Sequence, residues 1–368
     1  MATSNQIQPR KVLGKIKPYT PGKPIWELQE ELKLDKVVKL ASNENPLGPS
    51  PRGVQAIADS LDGLNRYPDA DTSALKKSIA SSMGVTKEQV IVTNGADELI
   101  TLVSEAFLEE GDEIIVPFPS FSEYDFGAQL MGAEVVPVQL EEDFQFDVDK
   151  MISAITDKTK LIYICSPNNP TGTYLPKSDL EKLLQAMPEH VLMVYDAAYS
   201  HYATAEDYTD GVEYVKAGYP IIALQTFSKI YGLAGVRVGF GVAPDYVIQT
   251  ILKVKEPFNV NALAQAAAAA AISDEKHIEA SREMNIKGAD QLYHLFSELG
   301  LSYIQTQANF VLVDLGPDAK KVNDELLTKG VIVRYGNTWG MPEHVRVSIG
   351  TQEENQFFAE ALRSILNK

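Results

Sequence analysis

Thr226-Phe227-Ser228-Lys229 runs directly into a segment holding Gly232, Gly235, Arg237 and Gly239. Hydroxyls, arginine and backbone N–H groups are the usual ligands of an oxyanion. A lysine amine desolvated beside another cation gives up its proton more readily and becomes a nucleophile. The alternative for Lys229 is a solvated surface lysine. Three other polar clusters each follow a short apolar run. Thr93-Asn94-Gly95-Ala96-Asp97-Glu98 comes after Val90-Ile91-Val92. Read as strand, glycine turn and helix start, it offers free N–H groups and a helix dipole to a phosphate; Asp97 could equally be an ordinary helix cap. Cys165-Ser166-Pro167-Asn168-Asn169-Pro170-Thr171-Gly172 comes after Leu161-Ile162-Tyr163-Ile164. Its two prolines and glycine fix a loop that either presents Asn168 to a cleft or merely connects two elements, and X-Pro bonds in such loops can be cis. Asp196 closes the run Val191–Tyr195, with Tyr199 three residues on. An acid there is either a catalytic group or a cap.

These clusters need a scaffold that brings strand ends together. From about residue 52 to 250, short β-branched runs alternate with helix-like segments. The runs are Val90–Val92, Glu113–Val116, Glu134–Val136, Leu161–Ile164, Val191–Val194 and Ile221–Leu224; the helices include Asp97–Phe107, Ser122–Met131 and Lys177–Ala186. Continuous apolar strands alternating with helices predict an open, mostly parallel α/β sheet between helices. Such sheets bind ligands at the carboxyl ends of their strands, which is where the four clusters fall. Before this region, Lys17–Pro24 reads as an extended arm because its prolines remove donors and fix φ, and Ile25–Leu32 reads as a short helix leading to a strand at Val37–Leu40. After it, the alanine run within Ala262–Ile272 predicts helix, continuing into Glu275–Leu299. Strands at Phe310–Val313, Val331–Arg334 and His344–Ile349 and a helix at Glu353–Leu366 predict a smaller α+β C-terminal domain. The expected division is an N-terminal arm over 1–45 that joins the small domain, a large domain over 46–255, and an interdomain helix with the small domain over 256–368.

The chain has 368 residues and a formal net charge of −17. That charge repels nucleic acid and anionic membranes, so neither is an expected partner. It leaves room for small anions, because a few arginines can dominate one pocket. The single cysteine, Cys165, excludes an internal disulfide and a cysteine-rich zinc site, and no metal is expected. The first residues lack a signal-peptide pattern, and no apolar run approaches the roughly 20 residues of a membrane helix. A cytoplasmic location is expected.

Taken together, Gly95-Ala96-Asp97, Asn168-Asn169-Pro170-Thr171-Gly172, Asp196 with Tyr199, and Ser228-Lys229 with Arg237 resemble the fold type I pyridoxal-phosphate aminotransferases, in order and over nearly the whole chain. Leu40–Gly48, Asn65-Arg66-Tyr67-Pro68-Asp69 and Ser228–Gly239 narrow the resemblance to the histidinol-phosphate aminotransferase group. The resemblance implies pyridoxal 5′-phosphate as cofactor, with its aldehyde joined to Lys229. It implies that Asp196 pairs with the ring nitrogen, that Asn168 and Tyr199 bond the ring hydroxyl oxygen, and that Phe121 stacks on the ring. Ala96, Asp97, Thr226, Ser228 and Arg237 would hold the phosphate, joined by Tyr67 from a neighbouring subunit in an obligate homodimer. Tyr19, Asn43, Arg334 and Arg346 would face the substrates, histidinol phosphate and the glutamate/2-oxoglutarate pair. Lys229, Asp196 and Tyr199 would carry catalysis, in histidine biosynthesis.

Two departures concern the pocket. Members of the family often carry acids where this chain has Ala197 and His201, so the substrate side-chain pocket is expected to differ. An aromatic amino-acid aminotransferase, a lyase or decarboxylase on the same scaffold, and a cofactor-binding regulator are the alternatives, in falling order.

Overall fold

The computed structural model describes residues 7–14, 16 and 24–366. A two-residue strand, β1 (Val38–Lys39), precedes seven that build one sheet: β2 (Val90–Thr93), β3 (Glu113–Phe118), β4 (Glu134–Gln139), β5 (Thr159–Cys165), β6 (Leu192–Asp196), β7 (Ile221–Thr226) and β8 (Gly239–Val242). Then come β9 (Phe310–Asp314), β10 (Val331–Ile332), β11 (Arg334–Tyr335) and β12 (His344–Ser348). The central order is β2-β8-β7-β6-β5-β3-β4, parallel except where β8 pairs with β2 and β7.

The inner strands are apolar because both faces of the sheet are covered there; the edge strand β4 is partly exposed. Side chains alternate along a strand. Ile162, Ile164, Met193, Tyr195 and Ala223 enter one apolar cluster, while Leu161, Tyr163, Leu192, Val194 and Leu224 enter another. Helices such as Lys177–Ala186 cover the first face and Ala96–Phe107 the second.

β8 has no counterpart among the predicted strands. Its sequence, Gly-Phe-Gly-Val, carries little strand propensity. The glycines are there because helix Ala96–Phe107 lies directly on the strand. A Cβ on Gly239 would sit 2.6 Å from Ala96 N, and one on Gly241 2.6 Å from Leu99 Cδ2. The run predicted as one strand over Val331–Arg334 is divided. β10 pairs in parallel with β1, whereas β11 pairs antiparallel with β12, which also pairs with β9. One extended run thus serves two sheets, and the change of partner falls at Val333. The alanine-rich segment is one helix, Ala262–Ala271, followed by a separate one, Glu275–Leu299.

The segment before residue 45 lies against C-terminal elements. Leu28 of helix Ile25–Leu32 and Ala41 are buried with Ile332, and Val38 and Leu40 share a cluster with β9 and β12 residues. Val38 N donates to Gly330 O at 2.8 Å and Leu40 N to Ile332 O at 2.7 Å. No helix among the described residues is long and apolar enough to cross a membrane.

The contact under Gly239 gives a test. Gly239→Ala forces a methyl against backbone that cannot yield, an overpacking cost of about 1–3 kcal/mol. A lowered melting temperature is expected, together with weaker retention of any anion held at the start of helix Ala96–Phe107.

Candidate active site

The carboxyl edge of the central sheet forms the floor of a cavity of about 280 Å³. Asp196 is the last residue of β6, and Thr226, Ser228 and Lys229 come at and after the end of β7. Ala96 and Asp97 start the helix after β2, Phe121 follows β3, Asn169 follows β5, and Arg237 precedes β8. Arg334, Trp339 and Arg346 close the cavity from the C-terminal part, and residues 41–44 form a third wall.

Asp196 is 5 % exposed and makes no ion pair among the described residues. Tyr124 donates its hydroxyl proton to Oδ2 at 2.8 Å, and the Ala198 N–H donates to Oδ1 at 3.0 Å. Burial pushes its pKa up to about 6 against these two bonds. A buried carboxylate with only neutral donors is costly unless a cation faces it. Lys229 Nζ donates to Ser42 O at 3.2 Å and lies 5.7 Å from the centre of the Tyr199 ring. Burial, and next the Arg346 guanidinium, push its pKa down to about 8. Both features of the sequence argument for a reactive lysine, desolvation and a nearby cation, are present.

Arg346 is 5 % exposed; its guanidinium donates to Ala41 O at 2.6 Å and to Asn169 Oδ1, and lies 5.1 Å and 5.0 Å from the ring centres of Phe310 and Trp339. Arg334 and Arg346 stand directly opposite each other in the β11–β12 ladder. Like charges in that position repel, and an anion between them relieves the repulsion. At the far end, Arg237 approaches Ser228 Oγ at 3.5 Å and Asp97 Oδ2 at 3.4 Å beside the first turn of helix Ala96–Phe107. Gly95 is the N-cap of that helix, so Asp97 is not its cap. The helix start, a serine and an arginine form the kind of place that takes a phosphate.

Several sequence expectations are corrected. Asn168 does not face the cavity. It is fully buried, accepting from Ser120 Oγ at 2.8 Å and donating to Pro119 O at 3.1 Å and Thr171 Oγ1 at 2.9 Å. These bonds use its amide to fold the loop, and the next residue, Asn169, lines the cavity instead. Asn43 lines the cavity, where its side chain also bonds Tyr199 and Ser348. Tyr67 lies away from its own chain's cavity, 83 % exposed and stacked on Phe258 at 4.8 Å. Tyr19 lies outside the described residues. Ala197 and His201 do not reshape the pocket. Ala197 packs into the apolar core, and His201 bonds the Tyr231 hydroxyl at 3.0 Å beside a separate cavity. Asn169, Tyr124, Trp339 and the carbonyls of Ala41 and Ser42 were missed. Tyr124 carried a usable signal, a tyrosine three residues after Phe121 in the first turn of the helix Glu123–Met131.

The residues fit pyridoxal 5′-phosphate. Asp196 lacks a cation and a protonated pyridine ring supplies one. Phe121 offers a flat apolar wall, Lys229 a nucleophilic amine, and the Ala96–Arg237 end an anion cradle. Among the described residues no cluster of acid, histidine and cysteine side chains could hold a metal.

Residues 35–362 match the family "Aminotransferase class I and II". The chain belongs to this family. It is 49 % identical to the histidinol-phosphate aminotransferase of Moorella thermoacetica over 97 % of this chain and 92 % of that one. It is 43 % identical to the enzyme of that name from Bacillus licheniformis over 98 % of this chain and all of that one. The crystal structure of histidinol-phosphate aminotransferase from Sinorhizobium meliloti, solved with pyridoxal-5′-phosphate, superposes with a TM-score of 0.90 at 23 % identity, covering 100 % of this chain and 99 % of that one, and establishes the fold. An aminotransferase thus carries this cavity.

The depressed Lys229 pKa predicts a pH profile. Only the neutral amine attacks an aldehyde. With a pKa of about 8, the neutral fraction rises roughly tenfold per pH unit below that value and saturates above it. The rate at which cofactor-free protein captures pyridoxal phosphate, followed by absorbance and referenced to Lys229→Ala, is expected to level off near pH 8. A rate still climbing tenfold per unit beyond pH 9 marks an ordinary solvated lysine.

Proposed function

We propose that this chain is a histidinol-phosphate aminotransferase that uses pyridoxal 5′-phosphate to exchange an amino group between histidinol phosphate and 2-oxoglutarate in histidine biosynthesis. The observation that carries the substrate class is the opposed pair Arg334 and Arg346 on the cavity wall. The names of the 49 % and 43 % identical relatives support the same reading. Each substrate brings an anion to that wall: the phosphate of histidinol phosphate in one half-reaction and the α-carboxylate of glutamate in the other. Arginine suits both because its planar fork binds carboxylate or phosphate bidentately.

The cofactor, when bound, supplies an electron sink for the pair left behind when the substrate α-proton departs. The chain's own residues prepare for that. Asp196, ionised above a pKa of about 6, would pair with the ring nitrogen and keep it protonated. Phe121 would stack on the ring, and Tyr199 and Asn169 would bond its hydroxyl oxygen. Ala96, Asp97, Thr226, Ser228 and Arg237 hold the phosphate. Lys229 Nζ would take the substrate α-proton as base and return it as acid. Its lowered pKa suits both duties near neutral pH. Trp339 and Phe310 sandwich the Arg346 guanidinium and hold it flat for the incoming anion.

The division into an arm over 1–45, a large domain over 46–255 and a small domain beyond 256 fits this reading, with the cavity between the last two. A second copy of the chain completes the site. Leu61, Leu64, Tyr67 and Phe258 are exposed apolar side chains, and a partner covering them brings its Tyr67 to this chain's phosphate. The cytoplasm, where a biosynthetic enzyme finds its substrates, is the proposed location.

Two experiments test these points. Mixing Lys229→Ala with a severely impaired Tyr67→Ala chain gives heterodimers with one doubly defective site and one intact site, so activity returns on subunit exchange. No recovery, with exchange confirmed by mass, means Tyr67 serves its own subunit. For the substrate, Arg346→Ala is expected to lower kcat/KM for histidinol phosphate and for glutamate by about 2–5 kcal/mol, the usual cost of losing a desolvated charge-assisted contact. Arg334→Ala is expected to hurt both more than phenylalanine, which has no second anion. A wild type that prefers phenylalanine over histidinol phosphate by about tenfold or more, roughly 1.4 kcal/mol, makes the chain an aromatic aminotransferase instead.

A further inference from the structure

Asn43 joins the C-terminal sheet to the cavity's tyrosine. Its backbone sits in the left-handed region at φ 54°, which asparagine tolerates better than most residues. The backbone N–H donates to Ser348 Oγ at 2.9 Å, and Ser348 Oγ donates to Asn43 Oδ1 at 2.8 Å. Asn309 Nδ2 donates to Asn43 O at 3.0 Å. The remaining group, Asn43 Nδ2, donates to the Tyr199 hydroxyl oxygen at 3.0 Å. Asn43, Ser348 and Asn309 are all buried.

These bonds form one directional chain from Ser348 through Asn43 to Tyr199. A backbone N–H only donates, so Ser348 Oγ must accept there and has its one proton left for Asn43 Oδ1. That places the amide NH2 toward Tyr199. The tyrosine oxygen therefore receives a proton from Asn43 and does not give its own in that direction. The Tyr199 hydroxyl keeps its proton for an acceptor inside the cavity that it lines.

We propose that Asn43 and Ser348 are positioning residues that aim the Tyr199 hydroxyl proton into the cavity, at the cofactor's ring oxygen. Ser348 lies two residues after Arg346 on the same face of β12. The strand that presents an arginine to the substrate anion thereby also sets how well the cofactor's oxygen is held as an anion. The inference rests on the proposed placement of that oxygen beside Tyr199. A donor at the oxygen stabilises its negative charge and loosens its hold on the neighbouring proton of the Lys229 linkage. Removing the donor, or the residue that aims it, raises the pH at which that proton leaves.

The test is a pH titration of the cofactor's visible absorbance in the holoenzyme, which a purely structural residue does not move. Asn43→Gly is the first variant, because glycine adopts the same positive φ without strain. Ser348→Ala is the second and keeps the proposal testable if the loop variant folds poorly. Each is expected to raise the titration midpoint by roughly half to one pH unit, the size of one neutral hydrogen bond. In a Tyr199→Phe background, Asn43→Gly is expected to add nothing. An equal shift in both backgrounds, no shift, or a downward shift overturns the proposal; the downward shift means that Tyr199 donates to Asn43. If Tyr199→Phe itself leaves the midpoint unchanged with cofactor bound, the placement of the ring oxygen fails, and the proposal fails with it.

Discussion

Two of the cations at the cavity, Arg346 and Lys229, lie close together, and most of the local structure answers that constraint. Arg346 and Lys229 approach closely enough that the guanidinium helps push the amine down to about 8. The loop at residues 41–45 meets both with consecutive carbonyls, Ala41 O for Arg346 and Ser42 O for Lys229. That loop is in turn pinned from the rear. Asn45 Nδ2 donates to Ile230 O at 2.8 Å and Ser281 Oγ at 2.8 Å, and Ser50 Oγ donates to Asp274 at 2.6 Å. Backbone dipoles held this way lower the repulsion without neutralising either charge. A carboxylate in their place would hold the lysine protonated and cost it nucleophilicity. The acid that is present, Asp196, is bonded to Tyr124 and Ala198 rather than to either cation.

The net charge of the chain makes this local arrangement more telling. A protein at −17 places Lys229, Arg237, Arg334 and Arg346 around one cavity of about 280 Å³. The acids that also line it are Glu44, Asp97 and Asp196, and Glu44 is paired with Lys39 at 3.0 Å. The global charge speaks against polyanionic partners, while the cavity selects small anions by geometry. The two statements are compatible because screening confines each to its own length scale.

Most of the site was legible because it lies at strand ends. Asp196, Thr226 and Lys229 terminate or follow continuous apolar runs, and a parallel sheet brings such termini to one edge. The small-domain arginines came from the resemblance; Arg346 lies mid-strand in β12, where no strand-end argument reaches it. What could not be read was orientation within irregular segments. Asn168 and Asn169 are adjacent and chemically identical, and only the loop's own hydrogen bonds decide which one turns inward. Ala197 follows Asp196 directly and His201 comes five residues on, yet the chain turns after β6 and neither lines the cavity. β8 was hidden because packing against Ala96 and Leu99 demanded glycine at two of its four positions. The division of Val331–Arg334 between two sheets was hidden because a strand's pattern carries no record of its partners.

Asn43 shows why pocket residues are hard to assign by type alone. A buried asparagine at a cavity wall reads as a ligand contact, and its polar groups seem to invite one. Its polar groups are nonetheless each bonded within the protein, to Ser348, Asn309 and Tyr199. A residue in that position acts by deciding what its neighbour can offer. The same holds for Tyr124, which does not line the cavity but supplies one of the two hydrogen bonds to the Asp196 carboxylate among the described residues. In both pairs a neutral donor outside the reacting atoms fixes the proton inventory of a group that faces them. Low dielectric makes such single bonds consequential, because a buried polar group left without its donor stays costly.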